Sequence, residues 1–455
     1  MKHKALFKNK EFSPYSNVRK SRIFVSAKQI CSILQKNGYE AYVVGGAVRD
    51  LVIRPNLVPK DLDIATSALP SEIKQLFENS RFVGESFGVC LVQHNDISFE
   101  VTTFRKDGEY IDRRRPANVT KGTFQEDANR RDFTINCLYF DPIKNKILDP
   151  HNGLHDIRQK IIQCVGDADS RLHEDALRII RMCRFSANLH FQISDECVLA
   201  GKRKSDGIYL LSKERILLEF KKIKLGRFYF FYENINKILD ISLVFFPNYL
   251  KDSSNSNKSI IKNTINTSKI KIDTPYPFFN FLKTFLYIND INLKNYELML
   301  QQFDQWPLTS EDKKICSLFL KAIHLKEHIP PQTEIEVTDF IFFEILVSLQ
   351  NISQCLAYGI FINLSVFIKD PLLKETLYKM IEFSSQNKTP TINSSEVVKQ
   401  VKIYAYEKKY ISVVIKYLQY IYLKKGIMPK IQSILQFKNQ FFKEYFEILT
   451  LLNKK

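Results

Sequence analysis

Two hydrophobic periods divide the chain. Up to about residue 150, short apolar runs and alternations mix with helical spacing, and AYVVGG, KDLDIAT, GVCLVQH and ISFEVTTF each predict a strand. The last two are joined by a tight turn at Asn95-Asp96. Within ISFEVTTF, Ile97, Phe99 and Val101 share one face, while Ser98, Glu100 and Thr102 share the other. SALPSEIKQLFEN predicts a helix with Ser67 or Ser71 near its start. RRDFTINCLYFDP predicts a helical turn running into a strand, with Pro142 as punctuation. From about Asp149 onward the period becomes helical and stays so, as in HEDALRIIRMCRFSANL and LLSKERILLEFKKIK. A polar Ser/Asn/Lys stretch near 251–274 reads as an insertion or boundary, and the remainder is aromatic-rich and helical, with no internal repeat. The fold class that follows is α+β: a mixed-sheet head over 22–148, then an all-helical neck over 149–225 and a helical body and tail over 226–455. A basic flexible leader, 1–21, precedes the head.

Composition alters this picture in three ways. At 455 residues, 45% of them hydrophobic, the chain is long enough for two or three domains with substantial cores. The formal net charge of +18 suits a polyanionic partner, although a Lys-, Ile- and Asn-rich composition also follows from an AT-rich genome. The eight cysteines form no CxxC pair and have no histidines at zinc-ligand spacing, which fits reduced thiols in a cytoplasmic protein rather than a disulfide scaffold. The uncharged stretch 345–368 is long enough to span a bilayer, but Ser348, Gln350, Asn351, Ser353 and Gln354 fall near its middle. Two buried helices are expected there, and no membrane span.

Candidate chemistry concentrates in VVGGAVRDLVIRPNLVPKDLDIAT. Residues i and i+2 of a strand project to one face, so Asp61 and Asp63 stand side by side while Leu62 and Ile64 point into the core. Two carboxylates that close repel unless a cation lies between them, which points to Mg²⁺. Should ISFEVTTF be the neighbouring strand, Glu100 completes a carboxylate set for two ions, the arrangement used for in-line phosphoryl displacement. Asp61 also reads as a turn residue and Glu100 as an exposed strand residue, and DxD alone does not decide between these readings. Gly45-Gly46, ending a strand and opening a helix, lets backbone N–H groups approach a phosphate that Arg49 reaches one turn later.

Together these motifs resemble the signature of class II nucleotidyltransferases of the DNA polymerase β superfamily, which comprise tRNA CCA-adding enzymes and bacterial poly(A) polymerases. GGAVRD…DLDIAT carries the resemblance, followed in the family's order by EVTTFR, KDGEYIDRRRPANV, NRRDFTINCLYFD, HEDALRIIRMCRF and LSKERILLEF, over roughly residues 22–225. The resemblance implies an N-terminal nucleotidyltransferase head. In it Asp61 and Asp63 bind two Mg²⁺ ions, Glu100 is the third acidic position, and Gly45, Gly46 and Arg49 contact the triphosphate. It implies that Arg131, Asp132 and Asn136 hold the incoming nucleotide, and that Asp175 and Arg178 select CTP or ATP. Asp175 and Arg178 are three residues apart and so share a helical face, where an acceptor and a donor can imitate a Watson–Crick edge. Glu174 and Arg178 also read as an ordinary i,i+4 ion pair, with Arg181 and Arg184 extending a basic face toward solvent or RNA. Two departures from the family pattern, Arg113 for Gly and Cys137 for Ala, bear on loop flexibility rather than catalysis.

The partner implied is RNA. A basic G-[RK]-[RK]-F segment marks the best-known poly(A) polymerases, and here VGESFGV puts Glu85-Ser86 in its place. That leans toward CCA addition to tRNA, whereas the basic leader and tail lean toward RNA of any sequence. The alternatives are poly(A) addition, A addition to CC ends, and a non-catalytic RNA-binding relative, which intact Asp61, Asp63 and Asp132 argue against. Arg113, Arg114 and Arg115 lie in a loop whose presence, by resemblance, argues against a CC-only enzyme.

Overall fold

The computed structural model describes residues 10–83, 88–108, 118–239, 244, 276–288, 301–328, 392–403, 410–425, 430–431, 441–442 and 445. The 251–274 insertion, the 345–368 stretch, Glu85-Ser86 and Arg113, Arg114 and Arg115 lie outside the described residues. Residues 1–222 with 233–241 form one compact unit, and residues 223–232 with 242–455 form a second.

In the first unit, strand β1 (Lys10–Glu11) and helices α1 (Ser16–Arg19) and α2 (Arg22–Lys36) precede β2 (Ala41–Val44), α3 (Gly46–Ile53) and β3 (Asp63–Thr66). Next come α4 (Pro70–Leu76), β4 (Ser80–Phe82), β5 (Val89–His94) and β6 (Ile97–Thr103). A small antiparallel pair, β7 (Arg105–Asp107) and β8 (Val119–Lys121), leads to α5 (Phe124–Asn129), a 3-10 turn (Thr134–Asn136), β9 (Tyr139–Asp141) and β10 (Lys146–Leu148). The main sheet has eight strands in the order β1-β10-β9-β2-β3-β6-β5-β4. Only β3 and β6 pair in parallel within it.

The alternation of ISFEVTTF is realised as expected: Phe99 and Val101 are buried, and Ser98 and Glu100 are exposed. The β5–β6 hairpin turns through Asn95 and Asp96 at φ 52 and 58, the left-handed pair that a two-residue hairpin requires. Helix α4 starts at Pro70, later than Ser67, with the Leu69 N–H donating to Glu72 at 2.6 Å. The apolar face of α2 packs Phe24, Ala27, Ile30, Cys31 and Leu34 on the sheet.

The leader departs from its expected flexibility from residue 10 onward. Lys10–Glu11 extends the sheet on β10, Phe12 meets Phe140 edge-on at 5.6 Å, and Val18 is fully buried. A basic stretch with one aromatic and one valine anchor offers little periodicity, but an open sheet edge recruits it.

The neck runs through α6 (Gly153–Gln159), α7 (Ala168–Glu174), α8 (Leu177–Leu189), α9 (Asp195–Lys204) and α10 (Lys213–Phe220). It is not wholly helical: β11 (Ile161–Ile162) and β12 (Gln192–Ile193) pair in parallel, and Phe133 bridges Cys164. Two-residue strands are too short to register as a period. Among the described residues of the second unit, helices Pro277–Ile288, Ser310–His328 and Tyr410–Lys425 bury aromatics, and Ser394–Ile403 buries Val397. Phe279 meets Phe319 at 4.9 Å, and Tyr417 meets Phe441 at 4.6 Å. No helix among the described residues is long and apolar enough to cross a membrane. Seven cysteines there are free and buried.

Candidate active site

Strand register assembles the site. Ile64 pairs with Val101 in the parallel β3–β6 ladder, and both are fully buried. The residues that precede them, Asp63 and Glu100, therefore share the opposite, exposed face. On the other side Val44 pairs with Asp63, so the chain leaves β2 through Gly45 beside that aspartate. Gly45 adopts φ 76 and ψ −142, which only glycine reaches without strain, and α3 then starts at Gly46.

Partial desolvation, followed by the charges of Glu100 and Asp61, raises Asp63 to about 6, while Arg131 acts in the opposite sense. Asp61 itself precedes β3, which starts at Asp63, so the two aspartates do not share a strand as expected. Leu62, between the two aspartates, is buried as expected. Among the described residues no three His, Cys, Asp or Glu side chains close tightly enough to hold an ion unaided. A magnesium ion does not require that, since it is commonly held by one or two carboxylates with substrate phosphates and water. The oxygen-only donor set of Asp61 and Asp63 suits such an ion.

Arg131 acts on Asp63, and Arg49 stands at the Gly46 helix start. Arg49 is buried, donating to Asn136 Oδ1 at 2.6 Å and to Asp50 Oδ1 at 2.8 Å, and its Nη2 lies 3.4 Å from where a Cβ on Gly46 would sit. Arg131 Nη1 lies 3.8 Å from the corresponding point on Gly45. Arg131 donates to the Tyr139 hydroxyl at 2.8 Å and to Asp127 Oδ2 at 3.0 and 3.3 Å. Asp127 is fully buried and also takes Arg130 and the Tyr139 hydroxyl.

Asp132 links head to neck. Its Oδ1 accepts the Phe133 N–H at 2.8 Å and Asn136 Nδ2 at 3.1 Å, while Oδ2 accepts Arg181 at 2.6 and 3.0 Å. Burial alone would raise this carboxyl, but Arg181 and the hydrogen bonds outweigh it and hold the group at about 2. The stability this supplies is fully present above the ordinary carboxylate value and lost as pH falls from about 4 toward 2, an effect of roughly 2 kcal/mol. Asp132→Asn should flatten that limb of the stability–pH profile in urea titrations; an unchanged limb would discount the pairing.

The neck corrects two expectations. Asp175 and Arg178 do not share one helix: α7 ends at Glu174, Asp175 is extended at φ −149 and ψ 106, and α8 begins at Leu177. Asp175 Oδ1 accepts the Leu177 N–H at 3.0 Å and Oδ2 accepts Arg215 at 2.8 Å, so a cap and a tether from α10 break the helix. Arg178 is buried, donating to Glu174, to the Arg171 carbonyl at 2.7 Å and to the Arg130 carbonyl at 3.3 Å. Glu174 also receives Arg171 at 2.8 Å, so it is shared rather than part of a simple surface pair. Arg181 and Arg184 do not form an open basic face either. Arg181 holds Asp132, and buried Arg184 donates to Glu219 Oε2 at 2.6 Å.

Sequence reasoning missed Asp127, Tyr139, Arg215 and Glu219, which hold the assigned groups in place. The local signal at Asp127, acid three and four residues before two arginines, is that of any solvated helix pair. Partners 35 and 40 residues apart, as for Arg184–Glu219 and Arg215–Asp175, leave no local signal.

The head is thus a mixed sheet carrying acidic residues beside a glycine-started helix, with the Arg131-Asp132 turn packed against that helix through Asn136. Residues 41–163 match the Poly A polymerase head domain. Over 206 residues the chain is 45% identical to the CCA-adding enzyme of Geobacillus sp. (strain WCH70), covering 45% of this chain and 50% of that protein. It is 44% identical over 205 residues to the CCA-adding enzyme of Staphylococcus aureus (strain MRSA252), again covering 45% and 50%. The chain thus spans about half the length of the curated relatives it matches. Two solved structures share the fold. The Bacillus stearothermophilus CCA-adding enzyme in complex with CTP aligns with TM-score 0.60 at 22% identity, over 93% of this chain and 99% of that one. The Thermotoga maritima CCA-adding enzyme complexed with tRNA aligns with TM-score 0.63 at 17% identity, over 97% and 100%.

Proposed function

We propose that the chain is a template-independent RNA 3′-terminal nucleotidyltransferase of the cytoplasm that adds CCA to tRNA from CTP and ATP, releasing pyrophosphate. The observation that carries this reading is the placement of Asp63 and Glu100 on one exposed face of the β3–β6 ladder beside the Gly45 turn, with Arg131 Nη1 near that glycine. Negative charge concentrated at a helix start, with arginines alongside, suits a cation–triphosphate complex better than either ion alone. Support for tRNA as the acceptor comes from the 45% likeness to a CCA-adding enzyme and from the names of the structural neighbours.

Asp61 and Asp63 would hold two Mg²⁺ ions, with Glu100 as the third acidic group. Magnesium there supplies charge neutralisation on the triphosphate and favours ionisation of the RNA 3′-hydroxyl. The remaining work falls to the chain itself. The Gly45 turn exposes the backbone N–H of Gly46, which with Arg49 and Arg131 orients the triphosphate so that the hydroxyl attacks the α-phosphate in line. Asp132 and Asn136, already hydrogen-bonded to each other, hold the nucleotide's sugar and phosphates. Asp175 and Arg178 present an acceptor and a donor to the base. Each Asp175 oxygen has one named partner, and a carboxylate oxygen accommodates a second donor.

Asp175→Ala or Arg178→Ala should reduce discrimination between CTP and ATP roughly 10- to 100-fold, the worth of one good bidentate contact. Metal binding should be retained. Single-turnover incorporation with each nucleotide measures the ratio, and unchanged discrimination in both variants removes the selecting role. The function itself is tested by supplying tRNA lacking its 3′ end, and separately an unstructured RNA, with CTP, ATP or both. Addition that stops after C, C and A on tRNA is expected. Long A tracts on either RNA identify a poly(A) polymerase instead, and no incorporation at all identifies a non-catalytic relative.

A further inference from the structure

Phe185 lies on α8, is nearly buried at 8% exposure, and belongs to none of the sets named so far. Three guanidinium groups crowd its ring: Arg184 at 4.0 Å from the centroid, Arg49 at 5.1 Å and Arg181 at 5.5 Å. The ring of Phe133, the residue after Asp132, packs against the same ring with centroids 5.7 Å and planes 77° apart. Arg49 comes from α3 of the head, Phe133 from the RRD turn, and Arg181 and Arg184 from α8 itself. One side chain thus touches the phosphate-contacting arginine, the turn that holds the nucleotide, and the helix that begins beside Asp175.

We propose that Phe185 is a positioning residue that fixes Arg49 and Arg181 through its aromatic face, so that the head's triphosphate contacts and the neck's nucleotide-selecting segment keep one geometry. The inference rests on the nucleotidyltransferase reading above. None of the three arginines needs the ring for neutralisation. Arg49 has Asp50 and Asn136, Arg181 has Asp132 and Glu219, and Arg184 has Glu219. What the ring adds is direction: its quadrupole draws each cation toward the face and away from the edge. The carboxylates of Asp50, Asp132 and Glu219 also make the gathering of three like charges tolerable. An aliphatic residue of similar bulk fills the space but exerts no such pull, which leaves Arg49 to its bonds with Asp50 and Asn136.

The experiment compares wild-type protein with Phe185→Leu and Phe185→Tyr, by equilibrium titration with CTP and with ATP in Mg²⁺, by steady-state incorporation into tRNA lacking its 3′ end, and by urea unfolding. Phe185→Leu should weaken binding of both nucleotides and raise both KM values about tenfold, the worth of one partly desolvated cation–π contact, with kcat within about twofold. Phe185→Tyr, which keeps the ring, should restore affinity. Wild-type affinity in Phe185→Leu overturns the inference. So does a loss that tracks the urea midpoint and is not rescued by tyrosine, since that is the behaviour of a packing residue. A wild-type protein that binds neither nucleotide removes the nucleotidyltransferase reading, and this inference with it.

Discussion

Asp63→Asn should lower nucleotide incorporation by at least about 10³-fold while leaving the head folded. The rate estimate follows from the charge that would be lost. Stabilisation by a bound cation is worth several kcal/mol in the transition state, and each 1.36 kcal/mol is about a factor of ten. Folding should survive for the opposite reason. Asp63 sits against Glu100 and Asp61, so without a cation its charge is a burden that desolvation increases. The neutral amide removes that repulsion and stays at a solvent-accessible strand end. In EDTA the variant's unfolding midpoint is therefore expected to equal or exceed that of the wild type. Mg²⁺ with CTP should raise the wild-type midpoint and leave the variant's nearly unmoved, because only a bound ligand shifts the folding equilibrium. Asp61→Ala is expected to behave likewise in incorporation. Full activity in either variant would sink the assignment of these carboxylates.

The head is legible where its candidate residues lie on periodic elements, as Asp63 and Glu100 do and Asp61 does not. Alternation in ISFEVTTF placed Glu100 on the face opposite Phe99 and Val101, and the ladder with β3 put it level with Asp63. The double glycine marked the end of β2, and φ 76 at Gly45 is the physical reason a glycine was needed there. The neck was less legible. HEDALRIIRMCRFSANL has no Gly or Pro and reads as one helix, yet Asp175 leaves helical geometry. The cause lies 40 residues away, where Arg215 takes the carboxylate, and in the same carboxylate's cap on Leu177. Arg184 gave no local sign that it would be buried against Glu219, 35 residues on. Long-range pairs that redirect a single side chain leave the hydrophobic period untouched, and so leave no trace in it.

Asp127→Asn is expected to be the most destabilising single change in the head, by about 3–5 kcal/mol, the usual cost of breaking a buried ion pair from one side. Asp127 is fully buried and accepts from two arginines and a tyrosine hydroxyl. An amide keeps the shape, but it cannot accept at both ends and removes the negative charge that pairs with both Arg130 and Arg131. Tyr139→Phe tests the same cluster more gently. It removes the hydrogen bonds to Asp127 at 2.6 Å and from Arg131 at 2.8 Å but keeps the ring beneath Arg131, and should cost about 1–3 kcal/mol. The pH dependence has a definite sign. Burial alone would raise Asp127, but Arg131, Arg130 and the Tyr139 hydroxyl outweigh it and hold the carboxyl below its ordinary value. Its contribution is therefore complete above the ordinary carboxylate range and is lost only as pH falls through the lower, folded value. The deficit of Asp127→Asn relative to wild type, read from urea midpoints, should be constant near neutrality and shrink in acid below about pH 4. Weaker nucleotide binding should accompany it, because Arg131 loses the anchor that points it toward Gly45. A variant as stable as wild type at pH 7 would show that the two arginines find other partners, and that Asp127 does not organise this side of the site.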